Sequence, residues 1–328
     1  MNINHLSLPD YISSSGVCKR AKLDTGTFCN MGCSFCYYKD HLNVKTPKET
    51  IFKRIDYLRN MGVIEVDLSG GESSIHKDWF EILEYCKNMK ISCLSNGWKF
   101  SDLTFMKKSK ELGLSEILFS LHGYNQKTHD LIVDKKGAFN RIIKSIKNAH
   151  RLNIKVRINC VVNEINYNDL HTKFTELVNT LEVFEVNFIT INTWEDNNLS
   201  TNYKKLIENV KLSIPKINAI VNVRYVPYCY MKGFEENVCD WYQHIYDIYD
   251  WNMNLYDYNT TSNTVHDMYK VAGEYRLQFY TKPRECLKCK YFKICDGIDS
   301  DIEIYPQKGE MIQDVNYFRK DFYVRNDD

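Results

Sequence analysis

Residues 64–121 read IEVDLSGGESSIHKDWFEILEYCKNMKISCLSNGWKFSDLTFMKKSKELGLSEILFSL. Ile64 to Leu68 has the pattern of a short strand and runs into the turn Ser69-Gly70-Gly71-Glu72. Trp79, Ile82 and Leu83 then follow helical spacing, and Ile91 to Ser95 returns to a strand closed by Asn96-Gly97. A helix from Leu103 to Leu112 and a strand from Glu116 to Leu121 come next, with a turn at His122-Gly123. Strands and helices that alternate with short connections predict a parallel sheet covered by helices.

The alternation continues outward from this stretch. Phe139, Ile142, Ile143 and Ile146 mark an amphipathic helix over Phe139 to Leu152. A strand from Lys155 to Val162, a helix near Leu170 to Leu181 and a strand from Phe184 to Ile191 complete the series. The fold class is therefore α/β, and an α/β barrel, complete or partial, and an open doubly wound sheet both fit. In either fold, reactive residues belong at the C-terminal ends of the strands. The cysteines from Cys29, the Gly70-Gly71 turn, Asn96 and Ser120 all come where a strand has just ended, on one face.

The chain has 328 residues, 44% apolar and 26% charged, which is the composition of a globular protein. Its 43 basic and 42 acidic residues leave a net charge of +1, so no footprint for nucleic acid or an anionic membrane is present. No apolar run approaches the roughly 18 residues that a membrane span needs. The start, MNINHLSLPDYISSSG, lacks the basic and apolar stretches of a secretory signal. A cytoplasmic location is expected, where thiols stay reduced, so twelve cysteines point to metal ligation.

The texture changes near residue 225. Residues 224–280 hold eleven of the 23 tyrosines and two of the five tryptophans, with weak periodicity. Three segments are expected: 1–17, a core over 18–225, and a loop-rich tail over 226–328 that a metal cluster would stabilise. Cys29, Cys33 and Cys36 fall within eight residues, and Cys286, Cys289 and Cys295 within ten. Cys86, Cys93 and Cys160 read as small buried hydrophobes. Three thiolates on one tight loop suit a four-iron four-sulfur cluster with one iron left open to a ligand. A zinc site, normally closed by four ligands, fits an odd set of three less well. The glycines of Gly70-Gly71-Glu72 let backbone approach a ligand, and the Glu72 carboxylate suits an ammonium group.

Cys29-Asn30-Met31-Gly32-Cys33-Ser34-Phe35-Cys36 resembles the C-x3-C-x-aromatic-C signature of radical S-adenosylmethionine enzymes, and Gly70-Gly71-Glu72 their Gly-Gly-Glu motif. The stretch from Phe119 to Leu170 is similar to the second half of the barrel in the peptide-modifying and molybdopterin-pathway branches. The tail CLKCKYFKICDGI, from Cys286, resembles the SPASM and twitch extensions that carry auxiliary clusters. The resemblance implies a partial (β/α)6 TIM-like barrel with a small C-terminal iron–sulfur domain. It implies that Cys29, Cys33 and Cys36 hold a 4Fe-4S cluster whose open iron binds S-adenosylmethionine. Phe35 would lay its backbone against the adenine. Gly70, Gly71 and Glu72 would hold the methionine ammonium, and Ser120, with Asn159 beside it, would meet the carboxylate or ribose. A 5′-deoxyadenosyl radical would then take hydrogen from substrate.

One departure bears on the tail. The SPASM pattern has a further cysteine where this chain has Asp299. The remaining cysteines suit one auxiliary 4Fe-4S cluster on Cys286, Cys289, Cys295 and either Cys229 or Cys239. A bare iron or structural zinc site on the same residues is the alternative. Cys229 is favoured because it follows the strand-like stretch Val221 to Tyr228, and Cys239 is then a spare thiol.

The leading functional expectation is hydrogen abstraction from a small molecule such as a sugar, cyclitol or nucleotide, in a dehydrogenation or epimerisation. Maturation of a ribosomally made peptide is the alternative. The region before Cys18 is too short for a winged-helix leader-binding module, so a separate partner would recognise the leader. A non-catalytic iron–sulfur or zinc protein is the reading of another class. A reductase, flavodoxin or ferredoxin would supply the electron. His122 reads as a hydrogen-bonded histidine at the barrel mouth, Lys22 as a solvated lysine, and Trp194-Glu195-Asp196 as a helix cap.

Overall fold

The computed structural model describes residues 20–36, 38, 43–60, 63–190, 203–238, 250–251, 280–282, 284–289, 291, 295 and 297–299. Seven strands run in chain order: β1 (Arg20–Asp24), β2 (Glu65–Ser69), β3 (Lys90–Ser95), β4 (Leu114–Ser120), β5 (Lys155–Val162), β6 (Glu185–Thr190) and β7 (Ile220–Arg224). Each pairs in parallel with the next. A two-residue strand, β8 (Asp250–Trp251), pairs in parallel with β1 on its other side. A doubly wound sheet reverses its strand order at a switch point, and this sheet does not. The sequential sheet curls into a half-barrel, so of the two folds that the sequence left open the partial α/β barrel is the one present.

The connecting helices are α1 (Lys48–Asn60), α2 (Trp79–Cys86), α3 (Leu103–Glu111), α4 (Gln126–Ile132), α5 (Ala138–Arg151), α6 (Thr175–Thr180) and α7 (Tyr203–Ser213). The sequence reading delimited neither α1, α4 nor α7, and the helix it placed at 170–181 is a π-helical turn over Leu170–Phe174 followed by α6. Among the described residues no helix is long and apolar enough to cross a membrane.

Side chains alternate across every strand. Val66, Leu68, Ile91, Ile117, Phe119, Val156, Ile158, Val186, Phe188 and Val223 turn one way, into a single apolar core with Ile51, Ile55, Trp79, Ile82, Ile142 and Ile146 of the helices. Cys86, Cys93 and Cys160 lie in that core, as expected of small hydrophobes. The opposite face of the sheet, toward the lumen, carries Lys22, Asp67, Ser92, Glu116, Arg157, Asn159, Glu185, Asn187 and Asn222. A closed barrel fills its interior with branched apolar side chains, whereas this face mixes those polar groups with Leu94, Leu118, Val161 and Ile189.

A buried network ties its floor together. Arg157 donates to Glu116 Oε1 at 2.9 Å and to Glu185 Oε1 from Nε at 2.8 Å. Asn187 Nδ2 donates to the same Glu185 oxygen at 3.0 Å, and Asn222 Nδ2 to Asn187 Oδ1 at 3.1 Å. Replacing Arg157 with Leu would leave two buried carboxylates without their guanidinium, a change that typically costs about 3–5 kcal/mol. A urea midpoint lowered accordingly is the expected result, and a loss under about 1 kcal/mol would contradict this account.

Candidate functional site

The β1–β2 pairing does not stop where the strands end. Thr25 N donates to Ser69 O at 2.9 Å, Gly71 N to Gly26 O at 2.9 Å and Glu72 N to Phe28 O at 2.8 Å. The Gly-Gly turn thus lies directly on the lead-in to the cysteine loop. Gly70 has φ +119°, and a Cβ there would run into Gly26 O. A Cβ on Gly71 would stand 2.5 Å from Thr27 O and collide with Phe28 O. These glycines therefore permit a close approach to the protein's own backbone.

Glu72 is 3% exposed. Its carboxylate accepts from Ser95 Oγ at 2.9 Å, Asn96 N at 2.6 Å and Ser74 N at 3.3 Å, and from the Ser74 hydroxyl. Burial pushes its carboxyl above the ordinary range, while these donors act in the other direction. Glu72 thereby joins the ends of β2 and β3. Asn96 carries the connection on: its Nδ2 donates to Asn30 Oδ1 at 2.8 Å and lies 3.9 Å from Cys29 Sγ. The sequence reading placed Asn96 at the correct strand end but gave it no role. The Asn-Gly turn was the available signal.

The far side of the cysteine loop rests on α4. Gly32 N and Ser34 N donate to Val133 O and Ile132 O, each at 3.1 Å. Met31, Ile132, Val133 and Ala138 form a small apolar cluster against which Cys29, Cys33, Phe35 and Trp98 pack. The Phe35 ring meets His122 edge-on at 4.8 Å. His122 is buried, its Nδ1 accepts from Val161 N at 3.1 Å, and its carbonyl accepts from Asn166 Nδ2 at 2.8 Å. The barrel-mouth histidine expected from the sequence is thus held by hydrogen bonds, and burial lowers its pKa well below the ordinary value. Ser120 and Asn159 stand side by side in register on β4 and β5, half-buried on the lumen face.

Burial and neighbouring negative charge hold the thiols of Cys29 and Cys33 in their protonated form. The Cys29 thiol is pushed up to about 11 by burial, then by the Glu72 and Cys36 charges. Cys33 is raised further by burial and by Cys29 and Cys36. Three mutually repelling thiolates need a cationic partner before they shed their protons together. Among the described residues no three His, Cys, Asp or Glu side chains converge as the shell of a single metal ion. A four-iron cluster, whose irons sit at separate corners, takes its thiolates further apart than such a shell.

In the tail, Cys229 lies in a 3-10 turn (Tyr228–Tyr230), not at a strand end, because β7 stops at Arg224 and Tyr225 turns the chain with φ +62°. Tyr228 stacks on Tyr291 at 4.6 Å, and Cys229, Cys289 and Cys295 pack against the same core. Gly297 N lies 3.4 Å from Cys295 Sγ, and Cys289 N donates to Cys286 O at 2.9 Å. Cys18, Cys239 and the stretch Trp194-Glu195-Asp196 fall outside the described residues.

The cysteine triad follows β1 at the C-terminal mouth of a sequential half-barrel, where barrel folds carry their reactive groups. Residues 23–176 match the family model of the Radical SAM superfamily, and the chain carries a domain of that superfamily. Among curated relatives, "Probable GTP 3',8-cyclase" of Saccharolobus islandicus (strain M.14.25 / Kamchatka #1) is 34% identical over 167 residues, 49% of this chain and 53% of that protein. "Fe-coproporphyrin III synthase" of Methanosarcina barkeri (strain Fusaro / DSM 804) is 31% identical over 155 residues, 44% of this chain and 37% of that protein. The match thus spans about half the length, or less, of these relatives. Among solved structures, Streptococcus suis SuiB bound to precursor peptide SuiA has a TM-score of 0.59 at 16% identity, over 86% of this chain and 72% of that one. Histidine-tagged anSMEcpe with bound AdoMet has a TM-score of 0.55 at 18% identity, over 85% and 88%. These two likenesses bear on the fold alone.

Two measurements test this geometry. Gly71→Ala should destabilise the chain by about 1–3 kcal/mol and lower iron uptake by the cysteine loop, because the Phe28 carbonyl has to move. Normal stability and full iron loading would refute the packing argument. The second concerns His129, which is fully buried, accepts from His122 N at 3.1 Å, and has its pKa lowered to about 4 by burial. The unfolded chain binds the extra proton between its ordinary value near 6.5 and the folded value, so stability is complete above pH 6.5 and falls as pH drops toward 4. The loss approaches about 3 kcal/mol. His129→Asn, which retains an acceptor for that amide, should flatten the slope in this window; an unchanged slope would remove His129 as its cause.

Proposed function

We propose that the chain is a radical S-adenosylmethionine enzyme that takes a hydrogen atom from a small polar molecule, such as a sugar, cyclitol or nucleotide. The observation that carries this reading is the seating of the Cys29–Cys36 loop at the strand ends where the lumen opens. Cys29, Cys33 and Cys36 would hold the 4Fe-4S cluster, and with S-adenosylmethionine bound it supplies a 5′-deoxyadenosyl radical for C–H abstraction. Glu72 fixes the β2–β3 corner through Ser95 and Asn96, so the backbone of Gly70 and Gly71 presents one rigid edge to a methionine ammonium. Ser120 and Asn159 offer a hydroxyl and an amide to its carboxylate or ribose. Phe35, braced on His122, would set the height of the adenine.

Ser120 and Asn159, half-buried register partners on β4 and β5, support a substrate with hydrogen-bonding groups, whereas Asn187 and Asn222 are buried and bonded to one another. The curated relatives are named for small-molecule chemistry, which supports the same reading. Cys286, Cys289, Cys295 and Cys229 would hold a second 4Fe-4S cluster as electron acceptor in a dehydrogenation. The Tyr228–Tyr291 stack brings the Cys229 turn to the tail segment.

Anaerobic reconstitution should give about eight irons per chain, four for each cluster. Replacing Cys29, Cys33 and Cys36 together with Ala should remove about half of that iron and all 5′-deoxyadenosine formed from S-adenosylmethionine. Deoxyadenosine that survives this change would end the radical reading. Incubation with GTP, other nucleotides, sugars and a neighbouring-gene peptide then separates substrate classes. A product lighter by about two mass units marks dehydrogenation, and unchanged mass marks epimerisation. Turnover of the peptide alone would replace the small-molecule reading.

A further inference from the structure

Asn96 closes β3 and stands between two groups that carry negative charge when ionised. Its backbone N–H donates to Glu72 Oε2 at 2.6 Å, and its side-chain Nδ2 lies 3.9 Å from Cys29 Sγ. The other partners of the side chain decide which end of the amide faces the sulfur. Oδ1 accepts from Trp98 N at 3.0 Å, and Nδ2 donates to Asn30 Oδ1 at 2.8 Å. Turning the amide over would set donor against donor and acceptor against acceptor, so its orientation is fixed. One N–H of Nδ2 is engaged by Asn30, which leaves the second for Cys29. The backbone that carries Asn96 is clamped as well: Gly97 N donates to Ser95 Oγ at 3.0 Å, and Gly97 O accepts from Ser145 Oγ at 2.6 Å.

The sulfurs of the loop therefore differ in their surroundings. The backbone N–H groups of Met31 and Asn30 also bond to the Cys29 sulfur, so with Asn96 three N–H groups converge on it. Cys33 has a backbone N–H of its own residue but also the negative charge of Asp134. The Asp134 carboxylate comes within 3.1 Å of the position that a Cβ on Gly32 would occupy. The donors thus lie on the Cys29 side and the carboxylate on the Cys33 side. A thiol is a weak acceptor, which accounts for the length of the Asn96–Cys29 contact; a thiolate is a charged acceptor and draws a donor closer.

We propose that the Asn96 side-chain amide donates to the Cys29 sulfur and raises the reduction potential of the cluster proposed for the cysteine loop. The proposal rests on the radical reading of that loop. Hydrogen bonds to the sulfurs are among the factors that set the potential of an iron–sulfur cluster. Reduction adds one electron, with no bond made or broken, and part of the added charge falls on the sulfurs. An N–H dipole aimed at Cys29 stabilises that charge more in the reduced state than in the oxidised one. Asn96 and Cys29 are both half-buried, which limits screening by solvent. Asn96 acts through Cys29 and is therefore a positioning residue.

The test is a redox titration of the anaerobically reconstituted full chain, with dithionite and mediators, read by electron paramagnetic resonance. At a fixed applied potential, Asn96→Ala should lower the ratio of reduced to oxidised cluster by about three- to tenfold. Asn96→Asp, which keeps an acceptor for Trp98 N but aims a carboxylate at the sulfur, should lower it further. Asn30→Ala removes only the link between the two asparagines and should titrate as the parent does. If the Asn96 variants do not retain their iron, the parent labelled with nitrogen-15 at its asparagine side-chain amides decides the matter. Its reduced cluster should show a nitrogen coupling that persists in Asn30→Ala. An unchanged midpoint in Asn96→Ala, equal shifts in Asn96→Ala and Asn30→Ala, or the absence of that coupling overturns the role of Asn96 while the radical reading stands. A parent chain that binds no four-iron cluster overturns both.

Discussion

The organisation of the mouth depends on one steric constraint: the backbone of Gly70-Gly71 lies so close to residues 26–28 that no side chain fits between them. That proximity continues the β1–β2 hydrogen bonding past both strand ends, and it fixes the direction in which the chain leaves β1 toward Cys29. Glu72 passes the constraint to β3 through Ser95 and Asn96, and Asn96 returns it to the loop at Asn30. Three strand ends and the cysteine loop are therefore tied together by hydrogen bonds. The loop's other anchor, at Ile132 and Val133, adds the α4 corner that follows β4.

The same mouth suppresses charge wherever no partner is provided. His122 and His129 are buried and kept neutral, and Glu72 is ringed by hydroxyl and amide donors. The thiols of Cys29 and Cys33 are raised for the same reason. Thiols held protonated in this way would have to release protons before they could ligate a metal.

Much of this was legible in the sequence because it rests on local pattern. The strands at 65–69, 90–95, 114–120, 155–162 and 185–190 and the helices at 79–86, 103–111 and 138–151 follow periodicities that short windows reveal. Strand order was not legible, since a barrel and a doubly wound sheet share those windows. The lumen was missed for a related reason. Glu116, Arg157 and Glu185 look like ordinary strand polar residues until register places them across neighbouring strands. The tight packing at Gly70 and Gly71 was not legible, because it depends on residues more than 40 positions away. Cys229 was misplaced because Val221 to Tyr228 has strand-like composition, while the turn at Tyr225 and Pro227 ends the strand early.

The strand order also constrains how the molecule is made. Within β1 to β7, every pairing joins strands consecutive in the chain, so the sheet can grow by one strand–helix unit at a time as synthesis proceeds. The contact of β8 with β1 is of another kind: it unites Lys22 and Leu23 with Asp250 and Trp251, across most of the polypeptide. Its large loop-closure entropy is met only once the intervening sheet has already brought the ends near. Until β8 pairs, the unpaired N–H and C=O groups of the β1 edge are an open template for wrong pairing.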